Sequence, residues 1–271
     1  MIRILTEADK EIVSSMETGI EDDYVIRIFL KLVEEDCVIG YFQDQMLVGI
    51  AGVTIFESEA AVLGRLRTHR NFQGQGIATM LMNRLKNDAF LEPGVTWTGY
   101  ATERNNVPGN RLAKHLQMDL EASLVSSRIS PGDVVGWNEE LSFQHESSRE
   151  EKRKCLIEND QCRKLSFFPY SIYYPLPYAP HLSHTYVDSL EMYRSDAGSF
   201  FLMKEEKGAS YLNIKVWDEQ VLYSKSMWEI VNEQAEQEAR LIWVDLPSNL
   251  ARSFEAKSHQ TVWNLYGQTR S

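Results

Sequence analysis

The sequence predicts an α/β protein in which helices cover a mixed sheet, followed by a smaller second domain. Strand and helix patterns alternate through the first half of the chain in the order β-α-α-β-β-β-α-β-α-β. A second tract, residues 197–268, has the order β-β-α-β-α-β, which repeats the second half of that pattern. Hydrophobic residues make up 43% of the 271 residues, enough for a sizeable core without cross-links.

The first half of the chain divides into six strands and four helices. Runs of β-branched and aromatic residues predict strands at 2–5, 38–42, 46–56, 60–68, 95–101 and 120–129. Thr6, with Asp9 three residues later, predicts the start of a first helix. Apolar residues spaced three or four apart, or cap residues, predict the other helices at 22–35, 77–90 and 106–116.

The composition changes after residue 130. Residues 146–164 are charged and predict a bridging helix, whereas 167–180 are rich in Tyr, Phe and Pro and disfavour both helix and central strand. The C-terminal tract predicts a hairpin over 198–217, helices at 225–239 and 248–257, and strands at 241–246 and 261–266. We therefore expect a domain over residues 1–135, a linker over 136–180 and a C-terminal domain over 181–271.

Charge and cysteine content narrow the class of protein. With 28 Lys and Arg against 39 Asp and Glu, the net charge is −11, which disfavours binding to nucleic acid or anionic membranes. The longest uncharged apolar run, 46–56, is too short to span a bilayer. The chain has three cysteines, Cys37, Cys155 and Cys162, and its first residues lack the apolar core and the cleavage site of a secretory signal. We therefore expect these cysteines to be reduced thiols. We expect a cytoplasmic monomer or homodimer.

The segment from Gln73 to Ala78 carries the strongest functional signal. It connects a predicted strand to a predicted helix, and its glycines let the backbone approach a ligand closely. The first amides of the following helix have no intrahelical partners, so they favour a phosphate. The third glycine of a dinucleotide fingerprint and the Gly-Lys-Ser/Thr triplet of a triphosphate loop are both missing. The pattern Arg/Gln-x-x-Gly-x-Gly/Ala is complete, at Gln73, Gly76 and Ala78.

This segment resembles the coenzyme A loop of the GNAT superfamily of N-acetyltransferases. Downstream, Asn106, Gly109, Leu112 and Leu116 match the family's next element, and the resemblance covers about residues 1–130. It implies the acyl-CoA N-acyltransferase fold and acetyl-CoA as co-substrate, without a metal. The cofactor contacts that it implies are Leu66, Arg67, Thr68, Gln73, Gly74, Gln75, Gly76, Ile77, Ala78 and Asn106.

The family's usual proton donor is missing from this sequence, so the resemblance leaves several candidates for the catalytic groups. That donor is a Tyr seven residues after the Asn, and Ala113 stands there. His115 and Tyr100 are the candidates to replace it. Glu57 and Glu59, at the start of the predicted cleft strand, and Glu103, at the end of the next, are candidate general bases. Solvated surface carboxylates are the alternative interpretation of all three.

Other charged side chains leave alternatives open. Arg65 and Arg67 either bind a substrate carboxylate or form ion pairs, for which Glu57 and Glu59 are the expected partners. Asp22 and Asp23 begin a helix, where they favour its dipole or contact an amine. His181-x-x-His184 has no further ligands nearby, so we predict no metal site.

The C-terminal tract lacks a phosphate-binding loop. Trp217-Asp218-Glu219-Gln220 stands between its second strand and its helix, an acidic connection without glycine. We expect a degenerate GNAT-like copy that binds no coenzyme A. The leading function is transfer of acetyl from acetyl-CoA to a primary amine of a small molecule, with an amino acid as one candidate. The alternatives are a catalytically inert acyl-CoA sensor and a protein-interaction module.

Overall fold

The computed structural model describes residues 1–134, 136, 140–158, 167–177, 182–251 and 259–270. The strands of this part, in chain order, are β1 (Ile2–Ile4), β2 (Cys37–Gln43), β3 (Met46–Phe56), β4 (Ala60–Thr68), β5 (Trp97–Glu103), β6 (Asp119–Ile129), β7 (Gln144–Glu146), β8 (Phe168–Ser171), β9 (Tyr174–Leu176), β10 (Glu191–Ser195), β11 (Gly198–Glu206), β12 (Ser210–Val216), β13 (Leu241–Pro247) and β14 (His259–Thr269).

The helices of the same part are α1 (Lys10–Ser14), α2 (Tyr24–Arg27), α3 (Phe29–Glu35), α4 (Ile77–Ala89), α5 (Val107–Leu116), α6 (Arg149–Glu158), α7 (His184–Asp188), α8 (Glu219–Leu222), α9 (Lys225–Gln237) and α10 (Ser248–Ala251). Short 3-10 turns cover Glu7–Asp9 and Arg70–Phe72.

The chain forms two compact units, Met1–Leu120 with Tyr266–Ser271, and Glu121–Leu265. This division differs from the boundaries at 135 and 180 expected from composition. Strand β6 pairs with β13, so the chain enters the second unit near the start of β6 rather than after it. The last residues return to the first unit, where the Arg270 amide donates to the Thr96 carbonyl (2.7 Å).

The first unit is a sheet with helices on both faces. Strands β1 to β4 pair antiparallel in chain order, β5 lies parallel to β4, and the end of β14 follows β5. Helices α4 and α5 pack on one face, through residues such as Leu81, Leu85 and Leu112. Helices α1 to α3 cover the other face, with Val25 and Phe29 in the core.

Two helices of this unit differ in detail from the helices that the sequence predicts. The predicted helix 22–35 is divided at Ile28 into α2 and α3. The helix expected after Thr6 begins as the 3-10 turn and continues as α1, and the Asp9 carboxylate accepts from the Thr6 amide (2.9 Å) as the spacing predicts. The long strands β3 and β4 have the predicted bounds.

The second unit repeats the strand directions of the first. Strand β11 is antiparallel to β10 and to β12, and β13 is parallel to β12, just as β3 is antiparallel to β2 and to β4 and β5 is parallel to β4. Helix α9 packs on one face through Trp228 and Val231. The hairpin β8–β9 forms a separate two-stranded sheet, in line with the expected resistance of this tract to a central strand.

Several predicted boundaries in the second half change. The predicted helix 146–164 begins only at Arg149, because Gln144–Glu146 pairs with β10 as β7. Its predicted end, and most of the predicted helix 248–257, lie outside the described residues. Cys162, Tyr178 and His181 also lie outside them.

Candidate functional site

Strands β4 and β5 separate partway along their length. Their register runs from Ala60–Trp97 to Val62–Gly99 and ends there. On its other side β4 stays paired with β3 as far as Gly49–Thr68, through an irregularity where Arg65 has φ +53°. Such a bulge bends a strand and increases its twist. The second half of β4 therefore presents a backbone edge that β5 does not cover.

The Gln73 to Ala78 segment lies directly after this edge. Gly74 and Gly76 have φ values of +77° and +78°, in the left-handed region that favours glycine. A Cβ added at either position would have no heavy atom within 4 Å, so the space above the loop is open. Gly76 is the N-cap of α4, and the first helical bond joins the Met80 amide to the Gly76 carbonyl (3.0 Å). The preceding helical amides are thus available to an anion.

Asn106 holds the turn between β5 and α5. Its Oδ1 accepts from the Gly109 amide (3.1 Å) as the N-cap of α5, and its Nδ2 donates to Thr102 Oγ1 (2.9 Å). Asn110 adds to the same turn, because its Nδ2 donates to the carbonyls of Glu103 (2.9 Å) and Asn106 (2.6 Å). In this structure Asn106 is therefore an element of the turn, and its expected contact with the cofactor stays a prediction.

The candidate bases lie at opposite ends of the cleft strands. Glu103 ends β5, which is parallel to β4, so it lies at the same edge as Thr68. Glu59 precedes β4, and at about 3.3 Å per residue it is roughly 20 Å from Leu66. The Glu59 carbonyl accepts from the amides of Thr96 and Trp97, on the closed side. Glu59 therefore lies away from the uncovered edge of β4, whereas Glu103 lies at the same end of the strands as Thr68, and the role of either carboxylate stays a prediction.

The two candidate proton donors, Tyr100 and His115, lie in different surroundings. Tyr100 is buried and donates from its hydroxyl to the Gly109 carbonyl (2.7 Å); burial raises its pKa well above the ordinary value. Ala113 is packed in the core beside α4. His115 is exposed in the last turn of α5, roughly 13 Å along the helix axis from Asn106. The structure does not bring His115 to the edge that holds Thr68.

Both arginines of β4 form ion pairs with aspartates that the sequence interpretation did not name as partners. Arg65 Nη2 lies 2.8 Å from Asp36 Oδ2, and Arg67 Nε lies 2.6 Å from Asp23 Oδ2. Both carboxylates are buried. Burial alone would raise the pKa of Asp23, but the hydrogen bond and the charge of Arg67 outweigh it, so the pKa is lowered. Asp23 is also the N-cap of α2, as expected for an acidic residue at a helix start.

A cleft of about 480 Å³ lies beside the end of β4. Residues 16–20, 22, 23, 26 and 27, together with Ser14 and Arg70, line it. We call the wall from residue 16 to residue 27 the 16–27 segment. The lining of the cleft mixes apolar side chains with two exposed ion pairs, Asp22 with Arg27 (3.0 Å) and Glu17 with Arg70 (2.7 Å). The volume falls in the range of small-molecule sites.

Sequence reasoning missed two features of this region. Asp23 and Arg67 are 44 residues apart, and the sequence indicated each of them separately but not their pairing. Tyr266 comes from the C-terminal strand; its hydroxyl donates to Asn110 Oδ1 (2.9 Å) and its ring centroid lies 5.8 Å from that of Tyr100. No spacing rule predicts such a long-range return of the chain.

Among the described residues, no cluster of three or more His, Cys, Asp or Glu side chains is placed to hold a metal ion. His184 Nδ1 lies 3.5 Å from Arg149 Nη1, and its expected partner His181 lies outside the described residues. Within the described chain, no helix combines the length and the apolar character needed to cross a bilayer.

Comparison with known proteins supplies the family. The family model described as "Acetyltransferase (GNAT) family" matches residues 5–117. Residues 5–117 are a GNAT acetyltransferase domain. The match spans β2 to β5 with α4 and α5, and therefore contains both the open edge of β4 and the glycine loop. As a GNAT domain it has the fold and the acyltransferase chemistry of its family.

Solved structures agree with the GNAT fold. A provisionally named acetyltransferase from Thermoplasma acidophilum has a TM-score of 0.61 at 14% identity, covering 100% of both chains. A GCN5-related N-acetyltransferase from Sphaerobacter thermophilus has a TM-score of 0.60 at 14% identity, covering 99% of this chain and 95% of that one. At these identities the likeness concerns the fold alone. The curated proteins include no sequence match to this chain.

Proposed function

We propose that the GNAT domain transfers the acetyl group of acetyl-CoA to a primary amine of a small molecule. The observation that carries this proposal is the uncovered edge of β4 next to a glycine loop at the start of α4. An extended amide-containing chain fits such an edge, and an anion fits such a loop. The pantetheine arm and the diphosphate of coenzyme A combine these two features in one molecule.

The fit of coenzyme A rests on backbone groups rather than on cations. Leu66, Arg67 and Thr68 offer main-chain groups to the pantetheine arm, and the amides from Gln73 to Ala78 face the diphosphate. The open space at the Cβ positions of Gly74 and Gly76 supports this arrangement. Backbone donors at a helix N-terminus also explain how a protein of net charge −11 would hold a polyanion.

In the proposed reaction the amine nitrogen attacks the thioester carbonyl carbon. The C–N bond forms, the C–S bond breaks, the nitrogen gives up a proton to water as it becomes an amide, and the thiolate of coenzyme A leaves and takes up a proton. The ammonium form of the substrate must first lose a proton, and Glu103, at the open edge, is the base that we favour. Because a thiol has a pKa near 8.5, water can protonate the thiolate where the family's Tyr is replaced by Ala113.

The cleft beside the 16–27 segment is the proposed acceptor site. Its volume suits a molecule of amino-acid size, and its mixture of carboxylates, arginines and apolar groups suits a zwitterion with a side chain. The second unit has no glycine between β12 and α8, so we propose one coenzyme A per chain. We also propose a cytoplasmic monomer or homodimer, and the net charge of −11 disfavours nucleic-acid and anionic-membrane partners.

Measuring thiol release from acetyl-CoA tests the proposal. The acceptor panel is the twenty amino acids, spermidine and a tetrapeptide with an unblocked N-terminus. We expect release that depends on one class of amine, with the N-acetyl product identified by mass spectrometry. Binding of coenzyme A without release for any amine would favour the inert sensor, which Ala113 makes the second candidate. Absence of binding would favour an interaction module.

A further inference from the structure

The ion pair between Asp23 and Arg67 joins the two parts of the proposed site. Asp23 lines the cleft, and Arg67 belongs to the uncovered half of β4. Besides its bond to Asp23, the guanidinium donates from Nη1 to the Leu66 carbonyl (2.8 Å) and lies 5.3 Å from the Tyr24 ring centroid. One side chain therefore contacts both the 16–27 segment and the main chain expected to meet the pantetheine arm.

Different polar contacts attach the two ends of the 16–27 segment to the rest of the domain. Near its start, the Arg70 amide donates to the Glu17 carbonyl (2.8 Å), and the side chains of these residues form an exposed ion pair. Toward its end, Asp23 accepts from Arg67 in a pair whose side chains are 3% and 16% exposed. Exposed pairs contribute little, whereas loss of one partner from a buried pair is costly. The Asp23 pair is thus the main polar attachment of this end of the segment.

We propose that Asp23 and Arg67 are positioning residues of the transfer reaction. Their ion pair holds the 16–27 segment at a fixed distance from the edge of β4 along which we expect the acetyl thioester to lie. The pair therefore controls how the acceptor binds and how it is aligned. This inference rests on the proposed function, because it assigns the cleft to the acceptor. Neither side chain takes part in the chemistry; both act through the position of the segment. Loss of alignment by about 1 Å can reduce a rate about 100-fold.

The chain provides a matched control in Asp36 and Arg65. These side chains form a second buried pair on the same strand (2.8 Å), with 3% and 8% exposure. Asp36 follows α3 and accepts from Thr54 Oγ1 (2.6 Å), and it is not one of the residues that line the cleft. Removing its charge should destabilise the fold to a similar degree without moving the acceptor wall.

The test compares Asp23→Asn with Asp36→Asn in the full chain. Asn preserves the N-cap of α2 through its one oxygen, so Asp23→Asn removes the charge and the hydrogen bond from Arg67 but not the cap. With the fastest amine of the panel, we expect Asp23→Asn to raise the acceptor KM at least about tenfold and the acetyl-CoA KM less than twofold. We expect Asp36→Asn to change either KM less than twofold. Equal effects of the two variants, or an equal rise of both KM values in Asp23→Asn, would overturn the proposal.

Amide hydrogen exchange provides a readout that does not depend on turnover. We expect the amides of residues 16–27 to exchange about tenfold faster in Asp23→Asn, and unchanged exchange there in Asp36→Asn. Arg67→Lys retains the positive charge opposite Asp23 and should accelerate this exchange less; it also replaces Asp23→Asn if that variant fails to fold. Unchanged exchange in the 16–27 segment contradicts the attachment. Absence of turnover in the unmodified chain counts against the proposed function instead.

Discussion

Replacing Gly76 by alanine tests whether the loop binds the diphosphate. Its effect on the stability of the fold and its effect on acetyl-CoA affinity can be measured separately. Gly76 has φ +78°, and a Cβ there meets no atom within 4 Å. Gly76→Ala therefore causes no clash, and the loss of stability is limited to the left-handed backbone of a non-glycine residue, about 1–2 kcal/mol. The new methyl group occupies the space above the loop and displaces the diphosphate from the amides.

The binding effect of Gly76→Ala should exceed its effect on stability. A hydrogen bond to a charged group contributes about 1.5–3 kcal/mol, so loss of one raises Kd about 10- to 100-fold. Gly208 is the control, because it has the same φ of +78°, is equally open and lies in an exposed turn of the second unit. Calorimetric titration with acetyl-CoA measures both variants. Equal Kd values for Gly76→Ala, Gly208→Ala and the unmodified chain would refute the loop assignment.

Three other measurements test separate parts of the account. Glu103→Gln should lower kcat about 100-fold or more, whereas Glu59→Gln, at the far end of β4, should leave kcat unchanged; a reversed order would contradict the assignment. Titration with coenzyme A should give one site per chain, and two would refute the proposal for the second unit. Burial raises the pKa of Asp245 to about 6 from 3.8. The folded state then binds its proton more tightly, so the free energy of unfolding should fall by about 2 kcal/mol between pH 4 and pH 6. Asp245→Asn should remove this fall in urea unfolding; an unchanged pH dependence would contradict it.

Local features of the site could be predicted from the sequence. The long strands β3 and β4 have the predicted bounds because β3 is a continuous uncharged run and the polar residues 43–45 and 57–59 separate the strands from their neighbours. The glycine loop was predictable because positive φ and an open N-cap both select glycine, and Gly74 and Gly76 have these properties. Such features depend on neighbouring residues only, which the sequence displays directly.

Features that depend on tertiary contacts could not be predicted. Whether Glu59 or Glu103 lies at the open edge depends on where β4 leaves β5, and this point is set by tertiary pairing rather than by local sequence. The partner of Arg65 follows α3 and the partner of Arg67 is the N-cap of α2, both far away in the sequence. The return of the chain at Tyr266 likewise changes the domain boundary without any local signal.

The most direct test of the central claim is a crystal structure of the chain with coenzyme A. The account predicts diphosphate oxygens within about 3 Å of main-chain nitrogens between Gly74 and Ala78, with the pantetheine arm along Leu66 to Thr68. A complex in which the diphosphate lies elsewhere, or in which acceptors of the protein itself occupy those amides, would contradict it.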